Sequence, residues 1–269
     1  MTGQKPGRPE RKQRDEIIGD HEGANPPRIA GTNGPAAMLR GGGLLSLWNG
    51  VDPGRLAEYG LWHTREHVPE RLAISGMLRA RRYHRGEGPL PEFLTLYELE
   101  SNAVLASPSY RELLVTPTPW SRSMRPSFRG FFRVGHRAVL SHGGGVGSAL
   151  MAATFEDGEA AADAWQEVAE QVLAETAATA VHVLRKDPAV APVPFAVPSS
   201  GETSHPDGGA IMIESHERSA FAEIARVLDP ALEMRGLARG RASWTVYDLA
   251  YLLDKEELPV VVALSRLEA

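Results

Sequence analysis

The sequence predicts an α+β fold built from two successive β-α-β-β-α-β units of ferredoxin-like order. Three observations predict it. Short alternating apolar runs are separated by stretches with helical spacing, the order of elements read up to residue 140 recurs from residue 149, and Gly143-Gly144-Gly145-Val146-Gly147 falls between the two copies. The chain therefore divides into residues 1–40, a polar arm, residues 42–142, a first unit, and residues 148–269, a degenerate second unit.

The arm mixes Lys5, Arg8, Arg11, Lys12 and Arg14 with acids, glycines and prolines, and has too few large apolar residues to offset its ordering entropy. It is expected to be disordered, its basic cluster solvated rather than bound to nucleic acid. The first unit opens with a strand at Leu44–Trp48, closed by Asn49-Gly50. Asp52 and Pro53 read as the N-cap and first residue of a helix whose apolar stripe is Ala57, Leu61, Thr64, Val68 and Leu72. His63 and His67 lie one turn apart on one flank of that stripe, and the α-helical period puts Trp62 and Glu66 on the other. Pro69 lacks an N–H and is expected to kink the helix after His67, fixing that turn.

Gly76 reads as a C-cap, followed by a strand from Met77 to Arg85 in which Leu78, Ala80 and Arg82 alternate with Arg79, Arg81 and Tyr83. The alternating run Phe93–Leu99 is its hairpin partner. A helix over Ser101–Val115, an arginine-bearing loop from Pro117 to Trp120 and beyond, and a strand over Phe131–Leu140 complete the unit. The glycine cluster is no phosphate loop, because no Lys-Ser/Thr follows and Ala149–Phe155 reads as a strand. The second unit then shows a helix over Asp157–Thr176, strands over Thr179–Arg185 and Ala210–Glu214, a helix over Glu217–Leu228 and a strand over Ser243–Tyr251. A Pro- and Ser-rich stretch, Pro188–Gly208, separates its middle strands, and an apolar run, Pro259–Leu264, offers an edge strand.

Composition narrows the chemistry. The 269 residues include no cysteine, which excludes disulfides, thiolate nucleophiles and Cys-ligated metal centres. An apolar content of 42% with no run near the ~20 residues of a membrane span argues for a globular protein. The polar N-terminus lacks a secretory apolar core, so a cytoplasmic location is expected. A net charge of −5 carries no nucleic-acid footprint.

The stretch Trp62-His63-x-x-Glu66-His67-x-Pro69-Glu70, then Gly76-Met77-Leu78-Arg79-Ala80-Arg81-Arg82-Tyr83, Tyr97-Glu98-Leu99-Glu100 and Pro119-Trp120, resembles the EthD-like families of the dimeric α+β barrel superfamily over about residues 42–140. The resemblance implies that two ferredoxin-like units pack sheet to sheet into one barrel, here within one chain, leaving a monomer with an internal pseudo-dimer or a homodimer. It also implies a small-molecule enzyme, with His67 as the functional histidine. The superfamily spans antibiotic-biosynthesis monooxygenases, polyketide cyclases, muconolactone isomerase, chlorite dismutases and dye peroxidases, so fold alone does not select the reaction. The helix of the second unit that corresponds to the histidine helix carries Gln171 or Val172 at the matching position, so one site per chain is expected.

On this reading His67, with His63 and Glu66 beside it, carries proton transfer, since imidazole titrates near neutral pH. Trp62, Arg82, Tyr83, Tyr97 and Trp120 are the candidate substrate-binding residues, for an aromatic or polyketide-like molecule. The alternative is a non-catalytic binding or accessory protein whose cleft is filled by its own side chains. His63-Thr64-Arg65-Glu66-His67 also spells the inverted zinc-protease motif, but those peptidases are far larger, their acidic third ligand lies well downstream on another helix, and Pro69 follows almost at once, so no metal is expected. No cofactor is expected either. The resemblance would place a haem ligand on a helix of the second unit, and the two helices read there contain no histidine.

Overall fold

The computed structural model describes residues 39–86, 92–156, 162–191 and 208–258. In chain order its elements are β1 (Gly43–Val51), α1 (Leu56–Trp62), α2 (Val68–Leu72), β2 (Met77–His84), β3 (Phe93–Leu99), α3 (Pro108–Val115), α4 (Pro119–Met124), β4 (Phe128–Gly143), β5 (Ala149–Phe155), α5 (Ala162–Glu175), β6 (Ala178–Lys186), β7 (Gly209–Ser215), α6 (Phe221–Met234) and β8 (Thr245–Asp254). The eight strands form one closed antiparallel barrel in the order β1-β3-β2-β8-β5-β7-β6-β4. Each half contributes four neighbouring strands, and two seams join them: β2 pairs with β8, and β4 with β6.

Strand alternation sorts the side chains into three layers. Leu44, Trp48, Leu94, Leu96, Leu150, Met212 and Tyr247 fill the barrel. Outside the first half, Leu45, Ala80, Tyr97 and Leu99 meet Val68, Leu72, Leu113 and Leu114 of the helices. Outside the second, Met151, Val181, Val183, Ile211 and Ile213 meet Trp165, Val168, Val172, Ile224 and Leu228. Each large side chain taken fully out of water contributes about 1.5–3 kcal/mol, so three such layers explain why a barrel with polar groups inside it holds.

Those polar groups form one network across the barrel interior. Arg79 binds Glu98 through two nitrogens, the shortest contact being 2.8 Å. Arg81 Nε lies 3.0 Å from the same carboxylate, an ion pair without hydrogen-bond geometry. Arg81 Nη1 donates to Glu214 of the other half at 2.6 Å and to Tyr83 Oη at 2.9 Å. Glu214 also accepts from Gly147 N and joins His182 Nε2, whose Nδ1 meets Ser141. Burial would raise the Glu214 carboxyl, but its bond to His182 and the Arg81 charge outweigh that and hold it at about 2.

Local chemistry sets several boundaries differently from the sequence reading. Asp52 makes no side-chain cap, because its carboxylate pairs with Arg129 of β4, and a single 3-10 turn precedes α1. The expected helix over Ser101–Val115 is split at Ser107-Pro108: a 3-10 turn over Asn102–Ala106 ends there, and α3 starts with Ser107 Oγ accepting from Tyr110 N at 3.2 Å. The loop at Pro119-Trp120 is instead the start of α4, capped by Thr118. Helix α6 runs through Pro230 to Met234, because its buried face, Phe221, Ile224, Leu228, Ala231 and Leu232, continues past the proline. Gly76 has φ +82°, and a Cβ there would meet Val104 Cγ2 at 2.5 Å, so only glycine turns the chain into β2 at that point. The arm up to residue 38, most of Pro188–Gly208, the start of the Asp157 helix and the run Pro259–Leu264 lie outside the described residues. Among the described residues no helix is long and apolar enough to cross a membrane.

Candidate functional site

The two predicted histidines sit on a π-helical turn, His63–His67, that joins α1 to α2 without a break. Pro69 gives the physical reason: it donates no N–H, and its ring crowds the carbonyl four residues back. The helix widens upstream, and the N–H of Val68 reaches back to His63 O. An i→i+5 register lays residue 67 over residue 62. The rings of Trp62 and His67 accordingly lie face against face at a 35° tilt with centroids 4.4 Å apart, and those of His63 and His67 lie 5.4 Å apart. This corrects the α-helical expectation that Trp62 stands on the opposite flank.

The turn forms one wall of a cleft between the helices of the first half and the outer face of β1, β3 and β4. Its lining includes Tyr59, Trp62, His63, His67 and Arg71 from the helix, Thr95 and Tyr97 from β3, Tyr110 and Leu114 from α3, Arg125, and Phe128, Phe131 and Arg133 from β4. The free space is narrow, about 60 Å³. Four buried polar atoms on this wall lack a hydrogen-bond partner: His63 Nδ1, His67 Nδ1, Tyr97 Oη and Arg133 Nε. Buried polar groups are ordinarily paired, so four such atoms around one space single it out as the candidate site. His63 Nε2 approaches Thr95 Oγ1 at 3.4 Å.

The electrostatics of the cleft have one sign. Arg71, Arg125 and Arg133 line it, and no carboxylate does among the described residues. Arg71 pairs with Glu70 at 3.2 Å, and both Arg71 and Arg133 lie about 6 Å from the Tyr110 ring, 6.0 and 5.7 Å from its centroid. Burial, then the charges of Arg82 and Arg71, push His63 well below its ordinary value. Burial, then Arg71, His63 and Arg125, do the same to His67. His67 keeps some exposed surface, but its Nδ1 is sealed. Both imidazoles are therefore neutral at pH 7, without a proton on one ring nitrogen, while the same burial and arginine charges weaken them as bases.

The structure brings Trp62, His63, His67 and Tyr97 to this cleft and leaves the other candidates elsewhere. Glu66 Oε1 accepts from Trp62 Nε1 at 3.2 Å, Thr118 Oγ1 at 2.6 Å and Ser121 Oγ at 3.1 Å, so it ties the π turn to α4. Arg82 reaches Gly60 O at 3.4 Å and lies over Tyr251, next to His63 but off the wall. Tyr83, one residue on, faces the barrel interior, as strand alternation requires. Trp120 bonds Glu58 at 3.1 Å on the outer side of α4. Sequence reading missed Tyr59, Arg71, Tyr110 and Arg133. Two of them carry a usable signal: Arg71 is four residues past His67, and Arg133 alternates with Phe131 on β4.

Among the described residues no third His, Cys, Asp or Glu joins His63 and His67 in a metal-sized group. Among the described residues of the second half, both ring nitrogens of His182 are engaged in the barrel network, and His216 is exposed beside Glu217.

A closed eight-stranded barrel with helices on the outer faces of both halves is the dimeric α+β barrel fold, made here by one chain. Solved structures share it. An anthrone oxidase-like protein superposes with a TM-score of 0.53 at 9% identity, over 81% of this chain and 94% of that one. A proposed monooxygenase from Fusobacterium nucleatum gives 0.50 at 7% identity, over 80% and 98%. A mutant chlorite dismutase from Candidatus Nitrospira defluvii, solved with cyanide, gives 0.50 at 10% identity, over 79% and 92%. No family model matches the sequence, and no curated protein does. At these identities the likeness is one of fold.

Proposed function

We propose that the protein is a small-molecule enzyme that works without a bound redox cofactor, with His67 as the proton-transfer residue, on an aromatic or polyketide-like substrate. One observation carries the proposal: two neutral imidazoles with unpartnered Nδ1 atoms share a cleft whose charged lining residues, among those described, are arginines. A substrate C–H or phenolic O–H at the exposed edge of the His67 ring loses its proton to the imidazole. The electron pair left behind spreads onto a substrate oxygen, where Arg71, Arg125 and Arg133 stabilise the developing negative charge. The enolate so formed is a shared intermediate of isomerisation, cyclisation and cofactor-independent oxygenation. His63 supports the turn and, through the strand contact to Thr95, orients the pair. Glu66 is a positioning residue in this scheme, its carboxylate oxygen being occupied by three donors.

The motif around His67 supports kinship with the EthD-like families, and a cytoplasmic protein acting as a monomer or homodimer agrees with this reading. Anthrone, whose methylene protons are acidified by the ring carbonyl, is a suitable probe. Deuterium exchange at that carbon, followed by NMR, is expected to be accelerated by the protein and to fall about 10²–10⁴-fold in His67→Ala. Full exchange in that variant sinks the assignment. A second reading, a binding protein without catalysis, draws on the narrowness of the cleft, which is far below the ~300–1,000 Å³ of ordinary ligand pockets.

A further inference from the structure

A second cavity lies against the first. It measures about 390 Å³ and is walled by Leu105, Leu114, Val115 and Val190, with Arg111 and Arg133 as its charged residues among those described. Leu114 and Arg133 also line the histidine cleft, so these two side chains stand between the spaces. The partition is light. Arg133 is partly exposed, its Nη2 donates to Tyr110 Oη at 3.0 Å, and its Nε has no partner. Gly135, two residues along the same strand, has no side chain, and a Cβ there would strike Val190 at 2.5 Å. That absence lets the Val190 segment lie down on β4 and form the floor of the outer cavity.

We propose that the two cavities are one binding site for an aromatic carboxylate, and that Arg133, at the partition, takes the carboxylate. The proposal rests on the reading of the cleft as a ligand site and adds the substrate's charge and its route of access. The outer cavity is of ligand size and the inner one is not, so the apolar body of a ligand lies on Leu105, Leu114 and Val190 while its reactive end points to the histidines. No acidic side chain lines either space among the described residues, and a guanidinium with a free Nε offers a planar pair of donors to a carboxylate. A ligand without an acceptor there would leave that nitrogen unpaired, and a neutral carbonyl would pair it without answering the guanidinium charge.

Isothermal titration with 2-naphthoate and its neutral amide, 2-naphthamide, tests this on the intact protein. Naphthoate is expected to bind at least about tenfold more tightly than the amide, since a charge-assisted pair replaces a neutral one. Arg133→Met, which keeps the stem and removes the charge, is expected to abolish that preference, and Arg133→Lys to keep part of it. Equal affinities for acid and amide in the unaltered protein, no binding of either, or an unchanged preference in a folded Arg133→Met protein would each overturn the proposal. Since these readouts need no turnover, the catalytic role of His67 stands or falls separately.

Discussion

The third strands of the two halves make a direct comparison. On the outer face of β3, Thr95 and Tyr97 meet a helix carrying Trp62, His63 and His67. On the outer face of β7, Ile211 and Ile213 meet a helix carrying Trp165, Val168, Ala169 and Val172. Val172, at the matching helical position named from the sequence, is fully buried among these apolar neighbours. The same architecture is thus filled mainly with hydrocarbon on one side, where Trp165 Nε1 also lacks a partner, and with titratable groups that lack partners on the other. Unpaired buried groups cost stability, about 1–3 kcal/mol each, so a chain that keeps several on one side must find cohesion elsewhere. Here it comes from the second half and the barrel interior.

The largest expected effect lies on the apolar side. Trp165→Ala should lower the unfolding free energy by about 3–5 kcal/mol in a urea titration, the usual cost of emptying a large core site. A loss below about 1 kcal/mol would break the comparison, since the second half would then not be the anchor.

Acid should separate the halves next. His63, His67 and His136 are held neutral in the folded chain, His136 at about 3 by burial, whereas unfolded histidine titrates near 6.5. As pH falls below about 6.5 the unfolded state binds more protons than the folded one, so stability drops, by about 2 kcal/mol or more between pH 7 and 5. Glu214 behaves differently: its folded value is lowered to about 2 from 4.5, so its contribution is intact at pH 5 and is lost only below about 4.5. A stability curve flat from pH 7 to 5, measured by denaturant midpoints, contradicts the burial of neutral histidines.

The smallest effect is the most specific. Tyr97→Phe removes a buried hydroxyl that has no partner. Stability should stay within about 1 kcal/mol or rise, contrary to the usual cost of altering a buried residue. A loss of 2 kcal/mol or more by thermal melting would mean that Tyr97 Oη is engaged in the folded protein and does not await a ligand.

Much of the fold was legible because strand alternation and helical spacing are local. Phe93–Leu99, Ala149–Phe155 and the order of elements in both halves needed only neighbouring residues. Closure of the barrel came from the resemblance, since pairing of β2 with β8 joins residues about 170 positions apart and leaves no local trace. At the site, the i, i+4 pair His63 and His67 was readable, but the packing of Trp62 on His67 was not, because it depends on a π turn that α-helical spacing does not anticipate. Tyr83 illustrates a different gap. Alternation separated it from Arg82, yet only the packed barrel determines which of the two faces inward. Arg71, Tyr110 and Arg133 come from three elements and converge only after packing.

Barrel closure has a consequence for synthesis on the ribosome. When the first half emerges, its outer strands β2 and β4 have neither β8 nor β6 to pair with, and Arg81 has no Glu214. At ~5–20 residues per second, the missing strands take on the order of ten seconds to follow. For that interval each nascent chain displays two bare sheet edges, shaped to accept the second half of any copy of itself being made nearby. The exchanged dimer, with two barrels built from crossed halves, is the by-product that this architecture invites, and slower translation through the second half would increase it.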